Sequence, residues 1–133
     1  MSQTKAWFGL APDGTDSELG TFDLIVAGTI GGTGAVTQIR GAGFVTLTRV
    51  SAGLYRITFD AGPVYALVHA DAQVQLLAAT TGGVVGNVTT DSSTNTSAPL
   101  VEVTYYADNT TATDPASGNV ITIRLKLKLW GNP

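Results

Sequence analysis

The chain of 133 residues contains no cysteine, which excludes disulfides, zinc–thiolate sites and thiol nucleophiles. It has a single histidine, His69, too little imidazole for a His-rich metal site. Charge is sparse as well: Asp, Glu, Lys and Arg together make up 13% of the residues, about half the usual share. Seven basic against ten acidic residues leave a formal net charge of -3. Nonspecific nucleic-acid binding needs a net basic surface, so no nucleic-acid partner is expected. Long apolar runs are missing too. No stretch approaches the ~20 residues of a membrane helix, and the run Ala6 to Ala11 is too short for a signal-peptide core, so no membrane partner is expected.

What is present is a Thr-, Ala-, Val- and Gly-rich chain, 44% hydrophobic. It is long enough for one domain that buries about two-thirds of its unfolded surface. The dominant period is two. From Val120 to Trp130, Ile121, Ile123, Leu125, Leu127 and Leu129 alternate with Thr122, Arg124, Lys126, Lys128 and Trp130. Successive strand side chains point to opposite faces, which predicts one aliphatic and one cationic face. Tyr55, Ile57 and Phe59 alternate with Arg56, Thr58 and Asp60. The run Phe44 to Val50 precedes them across the turn Ser51-Ala52-Gly53, the pattern of a β-hairpin. Val101, Val103 and Tyr105 mark another strand, as do Ala72, Val74 and Leu76; Phe22 to Ala27 and Val84 to Thr89 are weaker candidates. Val64 to Ala70 reads equally as a helical turn or a strand. Turn residues recur at Gly28–Gly34, Asp60–Pro63, Thr80–Gly83, Asp91–Pro99 and Asp108–Asn119, and the polar stretches Asp91 to Ser97 and Asn109 to Thr113 are expected to be mobile. The expected fold is all-β, a single-domain antiparallel β-sandwich or jelly roll. Residues 1–42 are read as an N-terminal arm and first strands, packed with or extending from the domain, and residues 43–133 as the main sandwich.

Groups with known chemistry are few. His69 has Asp71 two residues away but no identifiable nucleophile, so a structural or surface histidine is expected rather than a triad. Asp13 to Glu18 superficially resembles a calcium loop without its full ligand series, and reads as a solvated turn. Gly31-Gly32-Thr33-Gly34 lacks both the third glycine of a dinucleotide fingerprint and the Lys-Ser/Thr of a P-loop, so a turn is expected. Three Asn-X-Ser/Thr sequons, at Asn87, Asn95 and Asn109, are chance matches in an Asn- and Thr-rich chain. No enzyme activity, metal or cofactor is expected. The stripe Arg124, Lys126, Lys128 holds three of the seven basic residues and ends at Trp130. It reads either as solvated or edge-strand charge that deters aggregation, or as a docking stripe for an acidic protein surface, with Trp130 as an interface anchor or a core cap.

From about Phe44 onward the chain resembles small virion proteins of tailed bacteriophages. The resemblance rests on the hairpin segment Ala52 to Asp60, the strand Ala72-Gln73-Val74-Gln75-Leu76, the loop Ala112-Thr113-Asp114-Pro115-Ala116 and the alternating strand Asn119 to Leu129. It implies a capsid decoration, or cement, protein: made in the host cytoplasm, homo-oligomeric as a dimer or trimer, and bound to the major capsid protein on the outer surface of the head. Under this reading Arg124, Lys126, Lys128 and Trp130 form the docking residues. The alternative is a receptor- or carbohydrate-binding domain of a tail fibre, in which Tyr106, Tyr65 or Trp7 would stack on sugars.

Overall fold

The computed structural model describes residues 21–60, 65–75, 84–95, 97–108 and 110–129. They form eight strands: β1 (Thr21–Ile30), β2 (Val36–Arg40), β3 (Val45–Ser51), β4 (Leu54–Phe59), β5 (Tyr65–Gln75), β6 (Val85–Ser92), β7 (Leu100–Tyr106) and β8 (Val120–Leu129). Two four-stranded sheets, ordered β2-β1-β8-β5 and β3-β4-β7-β6, are antiparallel throughout. Their inner faces share one hydrophobic core, so the molecule is an antiparallel β-sandwich, as the alternation implies. Three connections are hairpins within a sheet, β1–β2, β3–β4 and β6–β7, and the other four cross between sheets.

The core follows from the alternation. Ile121, Ile123, Leu125 and Leu127 of β8 are buried, and Leu24 and Val26 of β1 lie opposite Leu125 and Ile123. The second sheet contributes Tyr55, Ile57 and Phe59 from β4 and Val101, Val103 and Tyr105 from β7. The Tyr55 and Tyr105 rings meet edge to face, with centroids 5.8 Å apart. That arrangement sets the positive edge of one ring against the negative face of the other. The side chain of Leu129 and all of Trp130 lie outside the described residues.

The ambiguous segment is strand. β5 begins at Tyr65, and its register against β8 slips between Leu67 and His69, where Val68 is the extra residue of a β-bulge. The bulge moves the inward set from Tyr65 and Leu67 to Ala70, Ala72 and Val74. Leu67 and Ala70 are three apart, which imitates a helical turn in the sequence. β2 is short and carries no clear alternation, but Gln38 gives it a specific task. The Gln38 side chain accepts a hydrogen bond from Leu47 N–H (3.0 Å) and donates to Val45 O (3.0 Å), so an amide satisfies the free edge of β3. Edges left unpaired would invite another chain.

β1 and β2 belong to the sheet that contains β8, so residues 21–42 are packed with the sandwich. Residues 1–20 of the N-terminal segment lie outside the described residues, and with them Trp7 and the calcium-like turn Asp13 to Glu18.

Leu125 is fully buried at the centre of the middle strand. Truncation to Ala removes its transfer free energy and leaves a cavity, so Leu125→Ala is expected to cost about 2–5 kcal/mol in chemical denaturation. A loss below roughly half a kcal/mol, the range of surface sites, would contradict this core.

Candidate functional site

The cationic stripe lies on a central strand. β8 is hydrogen-bonded to β1 on one side and β5 on the other, so of the readings offered for Arg124, Lys126 and Lys128 the edge-strand one falls, and the solvated face and the docking stripe remain. The outward rows run across three strands. Asp23 and His69 flank Lys126, Ile25 and Asp71 flank Arg124, and Thr21 and Ala66 flank Lys128. Arg124 is exposed, and the two lysines are half-buried. Opposite charges facing each other across strands contribute roughly 0.2–1 kcal/mol per pair. The face is therefore a lattice of three cations and two carboxylates fixed by strand spacing, rather than a bare positive stripe. Trp130 lies outside the described residues.

His69 is exposed on β5, with Nε2 3.2 Å from Asp71 Oδ1. No hydroxyl joins them. Ser93, the nearest thing to a buried hydroxyl on that side, is engaged elsewhere: its Oγ donates to Asp91 Oδ1 (2.6 Å) and accepts from Leu67 N–H (3.0 Å). That chain ties β5 to the end of β6. The pair stays a surface feature, as its sequence context implies.

Gly31 to Gly34 is the β1–β2 hairpin loop, closed by Gly31 N–H donating to Ala35 O (2.7 Å). β2 follows it rather than a helix, so no helix N-terminus is there to receive phosphate. Both polar loops carry local caps. Asp108 accepts from the N–H groups of Thr110 and Thr111, and these bonds hold its carboxyl below the usual range. Asn95 accepts from the N–H groups of Ser97 and Ala98.

The densest polar cluster is one that local sequence reading does not find. Asp114 accepts from Arg49 Nε (3.0 Å) and Nη2 (2.8 Å), from Gly53 N–H (2.8 Å) and from the Tyr55 hydroxyl (3.3 Å). That hydroxyl also donates to Gly34 O at 2.7 Å. One carboxylate thus joins the β1–β2 loop, the β3–β4 turn and the β7–β8 connection. Gly53 is required twice over: its φ is +72°, and a Cβ there would lie 2.6 Å from Thr113 N. Burial pushes the Asp114 carboxyl up, but the Arg49 guanidinium and the Gly53 and Tyr55 donors outweigh it and hold it below the ordinary value. Burial, together with the neighbouring Asp114 charge, pushes the Tyr55 hydroxyl well above its ordinary value. The donors named here all belong to the fold, so the cluster is a clasp that ties three connections together. Its partners lie 59 to 65 residues away, beyond any local motif.

Among the described residues no group of three or more His, Asp or Glu side chains could hold a metal ion, and no helix is long and apolar enough to cross a membrane. Comparisons with family models, with curated proteins and with solved structures return no match for this chain.

Asp114→Ala strands Gly53 N–H and takes the carboxylate from Arg49, while the Tyr55 hydroxyl keeps Gly34 O as its acceptor, and is expected to cost about 1–3 kcal/mol in denaturation. The pH dependence has a definite sign. Because folding lowers the Asp114 pKa, its contribution is present above the ordinary carboxylate range and is lost as the pH falls through that range toward the depressed value. Wild type should therefore lose stability on acidification more steeply than Asp114→Asn, and parallel acid limbs would contradict the clasp.

Proposed function

We propose that the chain is a structural virion protein, a decoration protein that binds the assembled head of a tailed bacteriophage through the outward face of the β2-β1-β8-β5 sheet. The observation that carries the reading is the placement of Arg124, Lys126 and Lys128 in one line on a doubly paired central strand. Docking on a repeating surface favours such a face, because strands held by hydrogen bonds on both sides lose little entropy on contact. The carboxylates Asp23 and Asp71 on either side add register, since a partner must match both signs. The resemblance from Phe44 onward supports the phage assignment. Its segments fall on the β3–β4 hairpin, on β5, on the Asp114 loop and on β8, the framework of the sandwich.

In this reading the partner is the major capsid protein, met on the outer surface of the head. The docked form is a dimer or trimer, matched to capsid symmetry. A protein that bridges neighbouring capsid subunits makes its second contact at high effective concentration. Binding is then strong on the assembled head and weak on the isolated subunit, with no catalytic step.

Sedimentation of the purified chain with undecorated heads tests this. Saturable co-sedimentation is expected, with much weaker binding to free capsid subunits. Arg124→Glu combined with Lys126→Glu should weaken it, more at low salt than at high salt, because screening already removes part of the attraction. A β-rich circular dichroism spectrum and a cooperative unfolding transition for the same double variant would show that the loss is one of docking rather than of the fold. No co-sedimentation at any salt concentration would overturn the reading.

A further inference from the structure

We propose that the groove between the edge strands β5 and β6 is a binding site for a neutral saccharide. This goes beyond head binding and does not depend on it.

The groove is open to solvent, has a volume of about 450 Å³ and runs along the side of the sandwich where the two sheets end. That is within the range of small-ligand sites. Its floor is apolar, formed by Leu67, Ala70, Ala72 and Val88. Its exposed lining is mostly polar, with His69, Asp71 and Gln73 on β5 and Asn87 and Asp91 on β6, beside the apolar Val68. A sugar ring has the same division, with C–H groups on its faces and hydroxyls around its edge.

The rim is equipped to bind hydroxyls. The side-chain amides of Gln73 and Asn87 are exposed and make no hydrogen bond among the described residues. Each offers both a donor and an acceptor, which a hydroxyl can use together. The contact between His69 Nε2 and Asp71 orients the imidazole and leaves its other nitrogen for a ligand.

Two features narrow the class. First, the walls carry two carboxylates, Asp71 and Asp91, and no lysine or arginine. Arg124 and Lys126 stand beside Asp71 and His69 on the β8 side and do not line the groove, so sialylated, sulfated or phosphorylated ligands would meet carboxylates with no cation in the lining. Second, the groove is stopped at both ends. At one end β5 and β6 nearly touch: a Cβ on Gly86 would lie 2.5 Å from the Tyr105 ring and 2.8 Å from the Ala72 methyl. At the other, Ser93 bridges Leu67 N–H to Asp91. An extended peptide adding to the β5 edge would run into both stops, whereas a short saccharide need only occupy the stretch between them. Beyond Asn87 lies a second shallow depression that carries Tyr106. Asn87 lines both, so a further sugar residue would pass over it onto the Tyr106 ring.

The test uses the full chain, labelled with nitrogen-15 and titrated in turn with maltotriose, cellotriose and N,N′,N″-triacetylchitotriose, with sialyllactose as the anionic control. At least one neutral trisaccharide is expected to shift the amides of residues 69–73 and 86–91 at concentrations up to roughly 10 mM, the weak end of specific binding. Asn87→Ala with Gln73→Ala should weaken that binding about tenfold or more, while Lys128→Glu, whose cross-strand neighbours Thr21 and Ala66 do not line the groove, should leave it unchanged. The proposal falls if no neutral trisaccharide shifts these amides, or if sialyllactose binds as well as the neutral sugars. It also falls if an extended peptide shifts them where the sugars do not, which would make the groove a strand-docking site. Because the groove is read by amide shifts on the free chain and head docking by co-sedimentation, failure of one and failure of the other are read separately.

Discussion

Between β1 and β5, the backbone of β8 is hydrogen-bonded on both edges, and its side chains Ile121, Ile123, Leu125 and Leu127 are withdrawn from water. Fully burying such a side chain is worth about 1.5–3 kcal/mol, so this row is a large part of what opposes the entropy of ordering the chain. It also fixes the opposite face. In a strand of strict alternation, placing four aliphatic residues inward leaves Arg124, Lys126 and Lys128 no position but outward. A slip of one residue would bury the cations and expose the core. The surface proposed to dock is therefore held in register by the hydrophobic core beneath it.

Polar interactions do the corresponding work at one end of the sandwich. The hydrophobic row sets the sheets face to face but leaves the loops undetermined. Asp114 closes them by accepting from Arg49, Gly53 and Tyr55, while Tyr55 holds the β1–β2 loop through Gly34. Along the sides, Gln38 and Ser93 each satisfy an edge-strand N–H, of Leu47 and Leu67 respectively. The molecule thus covers part of its open edges with its own side chains.

The strands whose inward residues repeat every two positions were legible from sequence, β8 and β4 above all. So was the β3–β4 turn, because Gly53 supplies the positive φ that the turn needs. Legibility failed where the period broke or where partners were distant. The Val68 bulge spaced Leu67 and Ala70 like a helix, and β2 showed no pattern because its key residue, Gln38, acts through its amide rather than its burial. The stripe itself was visible, but its neighbours Asp23 and Asp71 lie about a hundred and about fifty residues away in sequence, and only the pairing with β8 places them beside it. The same long-range pairing decided that the stripe is central. The Asp114 clasp and the β5–β6 groove are likewise products of tertiary structure, assembled from residues with no common local pattern.

The reading of this chain as a head-binding protein comes down to which surface meets the partner. A cryo-electron-microscopy reconstruction of undecorated heads incubated with the chain addresses that directly. The account predicts added density at symmetry-related positions on the outside of the shell, with the outward face of the β2-β1-β8-β5 sheet against the capsid and Arg124 beside capsid carboxylates. Density that meets the shell through the β3-β4-β7-β6 sheet, with Arg124 turned to solvent, or no added density at saturating protein, would contradict it.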